Sequence, residues 1–183
     1  MRNDVDRVLF TREAIADRVA QLGREIAADL DALADHPTEI VLIPILTGAM
    51  VFVADLIRHL PHKLRISVMS VSSYPGRSIA SKSVLIRSAL PDHLAGKHVF
   101  IIDDILDTGQ TLTLVQRIIA EQQPAEVRTC VMLRKDRPET RGFPVDYVGF
   151  DIPDEFVVGY GLDYNNYYRN LPEIVTLRAE ALQ

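Results

Sequence analysis

From Thr11 to Asp35 the apolar residues Ile15, Val19, Leu22, Ile26, Leu30 and Leu33 recur at steps of three and four, which gathers them on one face of an α-helix. Thr11 is placed to cap its start. The pattern then changes to EIVLIPIL, a nearly continuous apolar run, followed by Thr47-Gly48 and by AMVFVADLIRHL, whose helical spacing stops at Pro61. LRISVMSV reads as a strand, SSYPGRSIASKS as a hydroxyl-rich loop without periodicity, and SVLIRSAL as a return to strand character. HVFIID is a buried strand, TLTLVQRIIAEQQ a helix ended by Pro124, and VRTCVML and VDYVGF are two further strands.

Strands too continuously apolar to face water on one side, alternating with helices, predict an α/β fold with a mainly parallel central sheet and helices on both faces. The stretch from about residue 151 to 183 is richer in Tyr and Pro and is expected to form a small C-terminal hood. With no repeat, low-complexity tract or linker in view, residues 1–183 are expected to make a single domain. A chain of this length buries roughly 70% of its unfolded surface, so its core needs no disulfide or structural metal. The single cysteine, Cys130, agrees: within VRTCVML it reads as a small buried hydrophobe.

The net charge of −5 comes without any block of Lys and Arg, which argues against long nucleic acid as a partner. A small anion held by a few aimed donors remains compatible with that charge. The N-terminus lacks an apolar signal region and no run approaches the ~18 apolar residues of a membrane span, so a cytoplasmic protein without membrane contact is expected.

The most informative stretch is VFIIDDILDTGQTLTLV. A buried strand ending in Asp103 and Asp104 leads through a short turn carrying Asp107, Thr108, Gly109, Gln110 and Thr111 into a helix. In an open α/β sheet ligands bind beyond the carboxyl ends of the strands, where a helix start offers unpaired N–H groups and a positive dipole end. Such a turn suits a phosphate monoester, because Gly109 permits close backbone approach and the hydroxyls of Thr108 and Thr111 add donors. A plain turn in which Asp107 or Thr108 caps the helix fits the same letters. Adjacent acids resist joint ionisation unless a cation or hydroxyl donors lie nearby, a need that Mg²⁺ or ribose hydroxyls would meet. Solvated loop acids fit the spacing as well. The chain has no phosphate-loop lysine motif, no G-x-G-x-x-G and no zinc spacing, and His36, His59, His62, His93 and His98 fall near element ends, where none is assigned chemistry.

With its flanking strand, DDILDTGQT resembles the phosphoribosyl-pyrophosphate signature of type I phosphoribosyltransferases: an acidic pair, two apolar residues, then Asp-Thr-Gly-x-Thr. DEFVVGYGLDYNNYYRNLP is similar to the C-terminal purine-binding region of the hypoxanthine-guanine branch of that family. LIPILTGA, SVSSY, LRKDRP and VDYVGFDIP extend the likeness over most of the chain from about residue 40.

The resemblance implies transfer of a phosphoribosyl group from phosphoribosyl pyrophosphate to a 6-oxopurine base, hypoxanthine or guanine, with Mg²⁺ as cofactor, in a homodimer or homotetramer. It implies that Asp103 and Asp104 hold the ribose hydroxyls near the metal, Asp104 steadying charge on the sugar. Asp107, Thr108, Gly109, Gln110 and Thr111 would cradle the 5-phosphate. Leu46, Thr47 and Gly48 would form the pyrophosphate loop, with a cis peptide between Leu46 and Thr47, and Arg169 would join them. Lys135 would donate to the purine 6-oxo group, Phe156 would stack on the base and Val157 would bond to it through its backbone. Asp163, beside the purine, would bind Mg²⁺. Ser73 and Tyr74, in the loop 72–82, would close over the substrates, and Asp107 is the candidate for taking the proton from the purine ring nitrogen.

Three positions depart from common family patterns: Thr47 where a lysine is frequent, Gln110 where a basic residue is frequent, and Pro75 where glycine is common. None removes a proposed catalytic group. Two other classes compete with the enzyme, a non-catalytic nucleotide-sensing regulator with the same fold and a phospho-acceptor signalling domain. Joint retention of Asp107, Lys135 and Asp163 on an acidic chain argues against the first, and the Asp-Thr-Gly-x-Thr turn against the second.

Overall fold

The structure is a computed structural model that describes residues 1–32, 39–73, 84–86 and 91–182. Its strands are β1 (Val5–Phe10), β2 (Ile40–Leu46), β3 (Leu64–Ile66), β4 (Met69–Ser73), β5 (Val84–Ile86), β6 (His98–Leu106), β7 (Glu126–Lys135), β8 (Tyr147–Ile152), β9 (Val157–Val158) and β10 (Ile174–Leu177). The helices are α1 (Arg12–Asp31), α2 (Met50–Leu56) and α3 (Gln110–Ala120). Among the described residues none is long and apolar enough to cross a membrane.

Alternation along the central strands builds a core on each side of the sheet. Leu42, Phe100, Ile102, Cys130 and Met132 pack with the buried faces of α1 and α2. Their neighbours Val41, Ile43, Val99, Ile101 and Val131 pack on the other side with Leu112, Val115 and Ile119 of α3. The expected α/β architecture is therefore present, with helices on both faces. In α1 the apolar positions from Ile15 to Leu30 are buried as their spacing requires, and Thr11 Oγ1 accepts from Ala14 N at 3.3 Å. Leu33 lies outside the described residues.

The larger sheet runs β5-β4-β2-β6-β7-β8, with β3 also beside β2; all pairings are parallel except β4 with β5. LRISVMSV, read as one strand, is two. Both pieces run along β2 in one unchanged register, and the interruption places Val68 opposite Pro44, which has no N–H to give the ladder. A second correction concerns β6, which passes through Asp103 and Asp104 and stays paired with β7 as far as Leu106 opposite Arg134.

The hood is a separate antiparallel sheet, ordered β1-β10-β9. Its location in residues 151–183 was incomplete, since Val5–Phe10 supplies an edge strand. VDRVLF is exposed or half-buried throughout and carries no clean alternation, and its partner lies at the opposite end of the chain. Phe10 stacks on Phe150 of β8 with ring centroids 3.9 Å apart, which ties this strand to the main sheet.

Phe100 is 1% exposed in the centre of β6. Phe100→Ala is expected to cost about 3–5 kcal/mol of unfolding free energy, read as a lowered urea midpoint with little change in slope.

Candidate active site

The turn after β6 is built around Gly109, whose φ of +78° is a left-handed conformation that L side chains rarely adopt. A Cβ there would also sit 2.8 Å from the ring of Phe143. Thr113 N donates to Gly109 O at 2.9 Å, which opens α3, and no side chain caps the helix start. The simple capping role for Asp107 or Thr108 is thus absent. The first turn of α3 borders a cleft, and a helix start offers unpaired N–H groups there.

Three other segments close that cleft. β2 ends at Leu46, and the Leu46–Thr47 peptide is cis, as the resemblance implied. Gly48 lies flat against Asp104: a Cβ on it would come 1.7 Å from Asp104 Oδ2. From the hood come Asp163 and Arg169, paired at 2.7 Å, with Arg169 also donating to Gly161 O at 2.6 Å and Asn166 N donating to Asp163 Oδ2 at 2.7 Å. The resulting cavity of about 310 Å³ is lined by Leu46, Thr47, Gly48, Asp103, Asp104, Asp107, Thr108, Gly109, Gln110, Thr111, Asp163 and Arg169, together with apolar residues of β2, β4, β6 and α3. Every phosphate and pyrophosphate candidate read from the sequence therefore meets in one place.

Asp103 is 5% exposed, and its Oδ1 accepts from Asp104 N at 3.0 Å. Burial first, and the Asp104 charge next, push its carboxyl well above the usual carboxylate range. Burial raises Asp104 as well, against the opposing pull of hydrogen bonds and of Arg169. The four carboxylates on the cleft, Asp103, Asp104, Asp107 and Asp163, present oxygen and no sulfur or imidazole joins them, the donor chemistry that suits Mg²⁺. Among the described residues no three His, Cys, Asp or Glu side chains form a metal cage, so Asp163, Asp103 and Asp104 can hold such an ion only with oxygens of a ligand.

Lys135, the last residue of β7, does not line this cavity but adjoins it, with Nζ 3.3 Å from Asp107 Oδ1 and 3.5 Å from Asp154 Oδ1. Phe156 is 47% exposed and meets Tyr164 edge-on at 5.7 Å, while Val157 is buried in β9; neither lines the cavity. Ser73 ends β4 opposite Val84, and Tyr74 and Pro75 lie outside the described residues. None of the described histidines lines the cavity, and burial pushes the Cys130 thiol up, in keeping with a packing role. Arg137 and Asp154 escaped the sequence reading although both touch the Lys135 and Asp107 group. The signal available was an alternation of charge, Lys135 and Arg137 two apart and Asp154 two residues before Phe156, which gains meaning only once the strands are aligned.

The sequence profile of the phosphoribosyl transferase domain matches residues 11–165. The chain belongs to the phosphoribosyltransferase family. It is 43% identical over 183 residues to the hypoxanthine-guanine phosphoribosyltransferase of Mycobacterium avium, covering 98% of this chain and 89% of that protein. It is 37% identical over 174 residues to the hypoxanthine phosphoribosyltransferase of Escherichia coli K12, covering 95% and 96%. The crystal structure of a hypoxanthine phosphoribosyltransferase from Staphylococcus aureus superposes with a TM-score of 0.89 at 37% identity, covering all of this chain and 97% of the other. These phosphoribosyltransferase relatives do not favour the non-catalytic regulator.

The acid pair has a measurable consequence. A carboxyl whose folded pKa is raised stays protonated while its unfolded counterpart ionises near pH 4, so stability falls as pH rises from about 4 through the raised folded value. Asp103→Asn is therefore expected to raise the melting temperature of the ligand-free protein, by more at about pH 8 than at about pH 5. Calorimetry showing a pH-independent shift would contradict the electrostatic origin.

Proposed function

We propose that this chain transfers the 5-phosphoribosyl group of phosphoribosyl pyrophosphate to hypoxanthine and guanine, releasing pyrophosphate and giving IMP or GMP. One observation carries the reading: in a chain of this family, an uncapped helix start, an acid pair with Asp103 buried, and an arginine converge on one cleft. The start of α3, with Asp107, Thr108, Gly109, Gln110 and Thr111, is assigned to the 5-phosphate. Leu46, Thr47, Gly48 and Arg169 are assigned to the pyrophosphate, for which a planar guanidinium supplies two parallel charge-assisted bonds. Asp103 and Asp104 accept from the ribose hydroxyls.

The base is assigned to the side of Lys135, Phe156 and Val157. An ammonium has only donors to offer, so it suits a 6-oxo group and opposes the donor face of a 6-amino purine. In the reaction a purine ring nitrogen forms the bond to the anomeric carbon while the carbon–oxygen bond to pyrophosphate breaks. Positive charge spreads over the sugar ring beside Asp104, and the ring N–H proton passes to the Asp107 carboxylate. Bound Mg²⁺, held by Asp163 and the Asp103–Asp104 pair with substrate oxygens, would supply neutralising charge for the leaving pyrophosphate. Positioning and electrostatics account for the remaining catalysis. We further assign the chain as one domain that works in the cytoplasm as a homodimer or homotetramer; the exposed apolar side chains of Met50, Ile66 and Val68 support a self-contact.

Purified protein with phosphoribosyl pyrophosphate and Mg²⁺ is expected to make IMP from hypoxanthine and pyrophosphate in equal amounts, and no AMP from adenine. Lys135→Met should lower kcat/KM for hypoxanthine by at least about 100-fold. AMP formation at a comparable rate would refute the 6-oxo assignment. Gly48→Ala drives a methyl into Asp104 and is expected to lower kcat on the order of 100-fold with the melting temperature little changed. Steady-state rates beside a thermal melt decide that case.

A further inference from the structure

Beside the cleft four charged side chains form a closed ring. Arg137 places NH1 3.0 Å from Asp107 Oδ1 and NH2 2.5 Å from Asp154 Oδ1. Lys135 Nζ approaches the same two oxygens at 3.3 and 3.5 Å. Two cations thus share two carboxylate oxygens. Asp107 Oδ1 is buried and accepts no aligned hydrogen bond, whereas the Asp107 side chain as a whole is 42% exposed. Its exposure therefore belongs to its other atoms, and Asp107 lines the cleft. The cations hold one oxygen inward and leave the rest of the carboxylate for a ligand.

The turn that carries Arg137 is itself held. Thr140, 2% exposed, has Oγ1 2.5 Å from Lys135 O and accepts from Arg137 N at 3.2 Å. Three residues further on, the Phe143 ring covers Gly109. The segment from Lys135 to Phe143 thus rests on the phosphate turn at two points, Arg137 on Asp107 and Phe143 on Gly109.

We propose that Arg137 is a positioning residue for the transfer, holding the Asp107 carboxylate oriented and charge-compensated when the Lys135 ammonium turns to the purine. The proposal rests on the reading of Asp107 as proton acceptor. Once Lys135 bonds to the 6-oxo group, Asp107 loses part of one of its two counter-charges, and Arg137 keeps the other in place. A guanidinium suits this task because separate nitrogens of its planar fork take Asp107 and Asp154, whereas the Lys135 ammonium serves both from one nitrogen at longer range. Asp103, Asp104, Asp163 and Arg169 are the other charged groups on the cleft, and the ion pairs of Arg137 go to Asp107 and Asp154 instead.

The test is a double-mutant cycle on the full-length protein with hypoxanthine and Mg²⁺–phosphoribosyl pyrophosphate, comparing unmodified protein, Arg137→Met, Arg137→Lys, Asp107→Asn and Asp107→Asn/Arg137→Met. Arg137→Met is expected to lower kcat about 10- to 100-fold, with KM for phosphoribosyl pyrophosphate within about twofold. Arg137→Lys should recover part of the loss. In the Asp107→Asn background Arg137→Met should cost less than about twofold, because a residue acting through Asp107 has nothing left to position. The same loss in both backgrounds, or no loss in either, overturns the proposal. Should Arg137→Met fail to fold, Arg137→Gln in both backgrounds gives the same comparison. IMP absent from the unmodified protein overturns the functional reading itself, whereas IMP formed with additive losses overturns Arg137 alone.

Discussion

Everything at this site depends on the parallel pairing of β2, β6 and β7. Parallel strands present their carboxyl ends on one edge of the sheet, and the observed registers set Pro44 beside Ile102 and Leu106 beside Arg134. Three turns far apart in sequence therefore leave the sheet side by side: Thr47-Gly48 after β2, Asp107 to Gly109 after β6, and the segment beyond Lys135 after β7. A slip of one residue in any of these strands would exchange its two apolar faces and would also turn Asp103 and Asp104 to the wrong sides. The two cores that stabilise the sheet are the same devices that align the site.

The second organising feature is an excess of carboxylate in a partly buried place. Asp103 and Asp104 are adjacent on a strand, lie on opposite faces and are both held above the usual carboxylate range by burial. Gly48, without a side chain, lets one of them approach the backbone of the neighbouring loop. Such a pair weakens the ligand-free fold and is relieved by cations and hydroxyl donors, so the arrangement favours ligand binding at the expense of stability. Across the cleft Arg169 and Asp163 neutralise each other, and beyond Asp107 the Lys135 and Arg137 pair does the same for two acids. The cations are placed locally, each against an acid, so their fields are set by position and not by the net charge of −5.

Much of this was legible in the letters. Ile15 to Leu30 announced α1, the apolar runs announced the central strands, and DDILDTGQT placed an acid pair ahead of a phosphate-type turn. Other parts were not. VDRVLF lacks alternation and becomes a strand only because IVTL, from the other end of the chain, lies beside it. LRISVMSV is divided by Pro44 of a different strand, and the acid pair sits inside β6 because β7 continues to pair with it. Arg137 was an unremarked member of a charged turn until Asp107 and Asp154 were found within reach of it.

By itself the sequence determined the local periods, the class of fold and the kinds of chemical group available, because helix and strand spacing and backbone freedom at a glycine are properties of neighbouring residues. Tertiary structure decided which groups share a space: the hood made from both chain ends, Gly48 against Asp104, Phe143 over Gly109, and the ring of Lys135, Arg137, Asp107 and Asp154. The physical reason is that strand register and side-chain burial are set by packing between distant segments, and charge interactions act through distance in space, for which separation along the chain is no guide.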